Sequence, residues 1–169
     1  MINPSAVQIL RTIETTLVDV VEPAVGSTTA RSALATIGHL LRHVALRIEG
    51  EGQVLADDIA RLETLLADVR AYLEGAGDST QAAAVAAGLD RAAMPVDGYP
   101  TLAMMGARAA GLRQTLQDAL VHLQAQRAAR AADAGYAAAR SAIRTYLGEQ
   151  ILAEATLIDP AFADHGPRR

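Results

Sequence analysis

The chain has 169 residues, about half of them apolar, a formal net charge of −4 and no cysteine. This length suffices for one domain with its own core, and the missing cysteines exclude disulfides, thiolate catalysis and cysteine-ligated zinc. Alanine fills 37 positions, against one Phe, four Tyr and no Trp, a composition that favours closely packed helices over sheets.

The charge distribution argues against a nucleic-acid partner. All fifteen basic residues are arginines; seven Arg and thirteen acids give 1–99 a charge of −6, and eight Arg and six acids give 100–169 a charge of +2. Neither half has the dense basic face of a nucleic-acid-binding protein. No signal peptide and no apolar run of membrane-spanning length are evident, so we expect a cytoplasmic protein without a membrane partner.

The first predicted helix begins at "NPSA", with Asn3 as N-cap and Pro4 at the first helical position. Pro23 and Gly26 in "VEPAVGS" end it. Its apolar positions recur at helical spacing: Val7, Leu10, Ile13, Leu17, Val20 and Val21.

Two further helices are predicted on either side of "EGEG". The second runs from Thr28 to about Glu49, with Gly50 and Gly52 as breakers, and the third covers about 53–74. The predicted core stripe of the second is Leu34, Ile37, Leu41, Val44 and Ile48. That of the third is Leu55, Ile59, Leu62, Leu66, Val69 and Leu73. Whether the two helices form one slightly bent helix or turn back stays open.

The segment 75–101 is rich in Ala and Gly and contains two Pro, which predicts a flexible connection. Ser79 is a candidate cap for a short helix within it, and Pro95 to Pro100 is a predicted loop. A fourth helix follows at about 101–130 and a final one at about 136–157. Residues 158–169 form a predicted C-terminal tail, partly docked through Phe162.

These elements predict an all-α fold, an antiparallel bundle of four to five amphipathic helices within a single domain over 1–157. The stripe of the fourth helix is Leu102, Met105, Ala109, Leu112, Leu116, Ala119, Leu120 and Leu123. The stripe of the final helix is Tyr136, Ala139, Ile143, Tyr146, Leu147 and Ile151. A homodimer is an open alternative, because long amphipathic helices often complete their core with a partner.

The stretch "HLLRHVALRIEGEG" places His39 and His43 four residues apart, a spacing that suits half of a metal site. At about 100° per residue, however, His39 lies opposite the predicted core stripe and His43 about 140° from it. No Glu-x-x-His motif of a bundle metal centre occurs. We therefore predict no metal site, with His39 and His43 as weak candidates. The favoured alternatives are a solvated face and a cationic partner-binding face, which consists of His39, Arg42, His43 and Arg47.

Other chemical motifs are missing from the sequence. It contains no GxSxG elbow, no GxxxxGK[ST] loop and no GxGxxG, so we predict no catalytic residue and no cofactor. Arg140 and Arg144 share a helix face, which favours solvated charge and leaves a phosphate or carboxylate site as the alternative. Tyr99 in "DGYPT" is a loop aromatic suited to a partner contact. One polar row on the third helix predicts ordinary surface: Asp57, Arg61, Thr64 and Asp68.

The N-terminal half, "ILRTIETTLVDVVEPAV" followed by "ARSALATIGHLLRHVALRIEGE", resembles a family of small, uncharacterised helical bacterial proteins. The shared features are a helix ending near V-x-P-A and a second helix ending in an Arg–apolar–Glu triplet, here Arg47-Ile48-Glu49. The resemblance covers roughly 5–74. Genes of that family accompany an aminoglycoside-phosphotransferase-like kinase and an acyl-CoA dehydrogenase. It implies an accessory subunit of a kinase that acts on hydroxyacyl-CoA, and it carries over no catalytic residue.

Three hypotheses follow. The favoured one is a non-catalytic helical accessory protein with a protein partner, the kinase implied by the resemblance. The second is a self-associating structural or regulatory bundle. The third is a bundle that binds a small ligand or metal through His39 and His43.

Overall fold

The computed structural model describes residues 3–92 and 99–162. Within them the fold is all-α and contains no strand, so the predicted fold class is confirmed, while the antiparallel order stays a prediction. The helices are α1 (Ala6–Thr16), continued by a π-helical turn (Leu17–Val21), α2 (Glu22–Ala24), α3 (Thr28–Gly75), α4 (Ser79–Arg91), α5 (Leu102–Ala125), α6 (Ala134–Ala155) and α7 (Asp159–Phe162). Of these described helices, none combines the length and apolar character needed to cross a bilayer.

Helix α3 passes through Gly50 and Gly52 without interruption, so the second and third predicted helices form one helix, which is one of the two alternatives left open, and neither glycine acts as a breaker. A glycine costs a helix interior about 1 kcal/mol relative to alanine, but unlike proline it keeps its N–H group. Gly50 has a packing role instead, because a Cβ placed there would lie 3.0 Å from Leu157 Cδ2. The missing side chain lets the C-terminal segment lie close to α3.

Helix α1 begins two residues later than predicted, and its cap is Ser5 rather than Asn3. The Ser5 hydroxyl accepts from the Gln8 amide at 3.2 Å, and the Ser5 amide donates to Gln8 Oε1 at 2.7 Å. In this capping box each side chain accepts from the backbone N–H of the other residue, so two backbone donors are satisfied. Pro4 has no backbone N–H to offer to such a pair.

Contacts within the chain define two compact units. The first unit takes its described residues from 3–52 and 152–162, and the second unit from 53–92 and 99–151. The prediction of one domain over 1–157 stays a prediction. The second unit contains an extensive apolar core, whose fully enclosed members include Leu62, Leu66, Val69, Leu73, Leu112, Leu123 and Ile143. The predicted stripes of the third and fourth helices supply most of it.

Helix α4 lies inside the segment that was predicted to be a connection, and its Ala82 and Val85 are buried in the core of the second unit. Asp78, not Ser79, caps it by accepting from the Gln81 amide at 3.3 Å. The preceding turn requires Gly77, whose φ of 80° is the left-handed conformation. A Cβ at Gly88 would clash with the Thr115 side chain, so this glycine sets the close packing of α4 on α5. Most of the predicted loop between Pro95 and Pro100 lies outside the described residues.

A buried polar cluster crosses the core of the second unit. The Asp58 side chain is 2% exposed, and it accepts from Arg113 Nη2 at 2.8 Å and from the Tyr146 hydroxyl at 2.9 Å. These contacts join α3, α5 and α6. A buried carboxylate requires such partners, since its desolvation without them is costly.

Because of Tyr146, the free energy of unfolding depends on pH in the alkaline range. Burial raises the pKa of Tyr146 to about 12, with the Asp58 carboxylate adding to the shift, whereas an exposed tyrosine has a pKa of about 10. The stabilisation of the folded state by the neutral Tyr146 hydroxyl is therefore complete below about pH 10 and is lost as the pH rises toward about 12. In urea unfolding at pH 8 to 11, we expect Tyr146→Phe to be less stable near neutrality but to lose less stability as the pH rises. A wild-type slope in the variant would contradict this assignment.

Candidate interaction surface

The predicted cationic face on α3 is partly covered by other segments of the first unit. Arg42 Nε donates to the Ala161 carbonyl at 3.1 Å, and Arg42 Nη1 pairs with Glu14 Oε1 at 2.9 Å. His43 Nδ1 lies 2.9 Å from the Leu157 carbonyl; because a carbonyl only accepts, Nδ1 carries the hydrogen. The expectation of a solvated face is wrong for these two side chains, which hold α1 and the C-terminal segment against α3.

The other predicted site residues differ in exposure and in contacts. His39 is half-buried, and its ring centroid lies 5.3 Å from that of Phe162. Arg47 is exposed and pairs with Glu51 one turn further along α3, with Arg47 Nε 2.9 Å from Glu51 Oε2. This hydrogen bond is the main reason that the pKa of Glu51 lies below its usual value. Tyr99 is 98% exposed. Their partner-binding role stays a prediction.

Among the described residues, no third ligand joins His39 and His43 in a possible metal site. In residues 3–92 and 99–162, no group of three or more His, Asp or Glu side chains converges as a metal site would require. His43 Nδ1 is already committed to the Leu157 carbonyl. The prediction of no metal site at His39 and His43 stays a prediction.

Arg42→Ala is expected to loosen the C-terminal segment, because it removes the ion pair to Glu14 and the bond to the Ala161 carbonyl together. A hydrogen bond to a charged group contributes about 1.5–3 kcal/mol, so amide exchange in peptides covering 157–162 should accelerate by about tenfold or more. Arg47→Ala, which removes a pair within one helix, is the matched control. Equal exchange in the two variants would show that Arg42 does not hold this segment.

Four exposed apolar side chains form a row on α3 in the first unit. Ile37, Leu40, Val44 and Ile48, which we call the α3 apolar row, are 43–55% exposed. At helical spacing their side chains fall within about 80° of arc. Three of them belong to the stripe predicted to face the core, and that prediction is wrong for these three within the single chain. The spacing of the row is as regular as that of a core stripe, yet its side chains remain about half exposed.

The first unit lacks the apolar core that its sequence pattern predicts. Among its described residues, the buried apolar side chains are Ala45 and Ala161. Its exposed large apolar residues, by contrast, are numerous: Ile9, Ile13, Val18, Val20, Ile37, Leu40, Val44, Ile48, Leu152, Ile158 and Phe162. Four of them, the α3 apolar row, lie on one helix face, and exposed apolar surface gathered on one face is typical of an interaction site. Covering the rest of one such side chain would contribute roughly 1 kcal/mol.

A second polar cluster of the second unit joins Asp78 and His122. Asp78 Oδ2 lies 2.5 Å from His122 Nε2 and 3.0 Å from Gln126 Nε2. Burial raises the pKa of Asp78, but the bonds from His122, the Gln81 amide and Gln126 outweigh it, and the pKa lies below its usual value. Because Asp78 caps α4 and His122 belongs to α5, these contacts hold the turn before α4 against α5.

Comparisons with protein-family models, with curated proteins and with solved structures give no match.

Proposed function

We propose that this protein is a non-catalytic interaction protein, and that its first unit binds a protein partner through the α3 apolar row. The observation that carries the proposal is the imbalance of the first unit, which has eleven large apolar side chains exposed and two alanines buried among its described residues. A partner that covers the row would complete the core that this unit lacks.

The partner we propose is a different protein, a phosphotransferase-like kinase, for which this chain is the accessory subunit. The resemblance of roughly 5–74 to small helical proteins encoded beside such kinases supports this choice, and the α3 apolar row lies within that segment. The proposed setting is the cytoplasm. The row offers no catalytic group, so its contribution to the kinase would be structural or regulatory.

Co-expression with a phosphotransferase-like kinase of the same host tests the proposal. We expect the two untagged chains to elute together in gel filtration and to appear in a fixed ratio by native mass spectrometry. Separate elution of two folded proteins at micromolar concentration would contradict the kinase as partner. A homo-oligomer with no second protein would favour self-association instead.

A further inference from the structure

An open groove in the second unit lies between the end of α5 and the face of α6. Its volume is about 670 Å³, within the range of small-molecule sites. Three arginines line it: Arg127 in the turn after α5, and Arg140 and Arg144 one turn apart on α6. This groove belongs to neither the α3 apolar row nor the Asp58 cluster.

Among the described residues, no carboxylate neutralises the charge in the groove. No carboxylate is among the described lining residues, and none of the three guanidinium groups forms an ion pair with the part of the chain that the structure describes. The nearby Arg130, by contrast, lies 3.5 Å from Asp133. Three like charges repel one another, and a bound anion would offset this repulsion. Their clustering at one groove is notable because the protein is acidic overall.

One of the three guanidinium groups is held in place. The Arg140 guanidinium lies 5.7 Å from the centroid of the Tyr136 ring, and Arg140 Nη1 donates to the Tyr136 hydroxyl at 3.4 Å. That hydroxyl in turn donates to the Leu123 carbonyl at 3.0 Å, and Tyr136 is buried. A buried tyrosine thus fixes Arg140 before any ligand arrives, which reduces the entropy that binding would cost.

We propose that this groove binds a small molecule through a diphosphate group. Guanidinium groups pair bidentately with phosphate oxygens, and three of them can engage both phosphates of one diphosphate. The remaining lining is the Gln124 amide and small alanine side chains, which leave room for the rest of the ligand.

Calorimetric titration of the full chain with inorganic pyrophosphate tests the site. We expect micromolar binding by the wild type and a loss of about tenfold or more in Arg127→Gln/Arg144→Gln. Both side chains are exposed, so the fold should persist, which circular dichroism would verify. Arg144→Lys, which keeps the charge without the bidentate geometry, should bind with intermediate affinity.

The control is Arg11→Gln/Arg70→Gln, which makes the same change in net charge at two other exposed arginines. It should bind pyrophosphate as the wild type does. An equal loss in the two double variants would show that net charge alone attracts the anion and would overturn the site. No measurable wild-type binding at low ionic strength would overturn it as well.

Discussion

Val44→Glu is expected to abolish association with the partner while leaving the isolated chain folded. Val44 lies in the middle of the α3 apolar row and is 45% exposed. A carboxylate there remains hydrated in the free protein, where surface substitutions usually change the free energy of unfolding by less than about 0.5 kcal/mol. In the complex it would be desolvated in an apolar interface, which is costly for a charged group. We expect affinity to fall about a hundredfold or more, measured by calorimetry or surface plasmon resonance.

Ala67→Glu is the matched control for this prediction. It introduces the same charge at an exposed position of the same helix, in the part that belongs to the second unit. It should bind the partner as the wild type does. Two results for Val44→Glu would contradict the account: retained affinity, or unfolding of the isolated chain, since the latter would mean that the row already packs within the chain.

Asp58→Ala is expected to lower the free energy of unfolding by about 3 kcal/mol. Asp58 is almost fully buried and accepts hydrogen bonds from Arg113 and Tyr146. Its removal leaves the buried Tyr146 hydroxyl without this acceptor and deprives Arg113 of its paired carboxylate, while the loss of volume opens a cavity. Asp58→Asn, which keeps an acceptor for Tyr146 but loses the charge, should lose less. Urea denaturation at pH 7 measures all three proteins.

The neighbouring Asp57 supplies an internal control. It is exposed and accepts a hydrogen bond from Gln53 on the same helix at 2.8 Å. Asp57→Ala is therefore expected to change the free energy of unfolding by less than about 0.5 kcal/mol. If Asp57→Ala and Asp58→Ala destabilise the protein equally, the buried cluster contributes no more than an ordinary surface charge.

The core of the second unit could be predicted from the sequence because its helices bury one face each. Leu62, Leu66 and Val69 follow the spacing that places side chains on one side of a helix, and the structure buries all three. Asp58 was missed, although the same spacing offered the signal, since it falls about 20° from Val69 around the helix. A carboxylate so close to an apolar stripe indicates a buried partner.

The packing of the first unit differs from the prediction because it depends on contacts between distant parts of the chain. The periodicity of a single helix cannot predict such contacts. Arg42 and His43 are covered because carbonyls of the C-terminal segment accept from them, and those residues lie 119 and 114 positions away. Gly50 was interpreted as a helix breaker, while its role is to admit Leu157. Pairings across such separations are set by the tertiary fold.

The groove lined by Arg127, Arg140 and Arg144 could be predicted only in part from the sequence. Arg140 and Arg144 were recognised as sharing a face, but Arg127 was assigned to a helix running to about 130. In the structure α5 ends at Ala125, and the turn that follows brings Arg127 to the same groove. The helix end decided this outcome, and helix ends are the least certain feature of a periodic pattern.

Native mass spectrometry of the untagged protein, isolated gently from its own host, tests the central claim most directly. The account predicts a complex of fixed stoichiometry with a kinase-like protein, lost in Val44→Glu and kept in Ala67→Glu. A chain that remains monomeric with no bound protein would contradict the claim that the α3 apolar row is a binding surface.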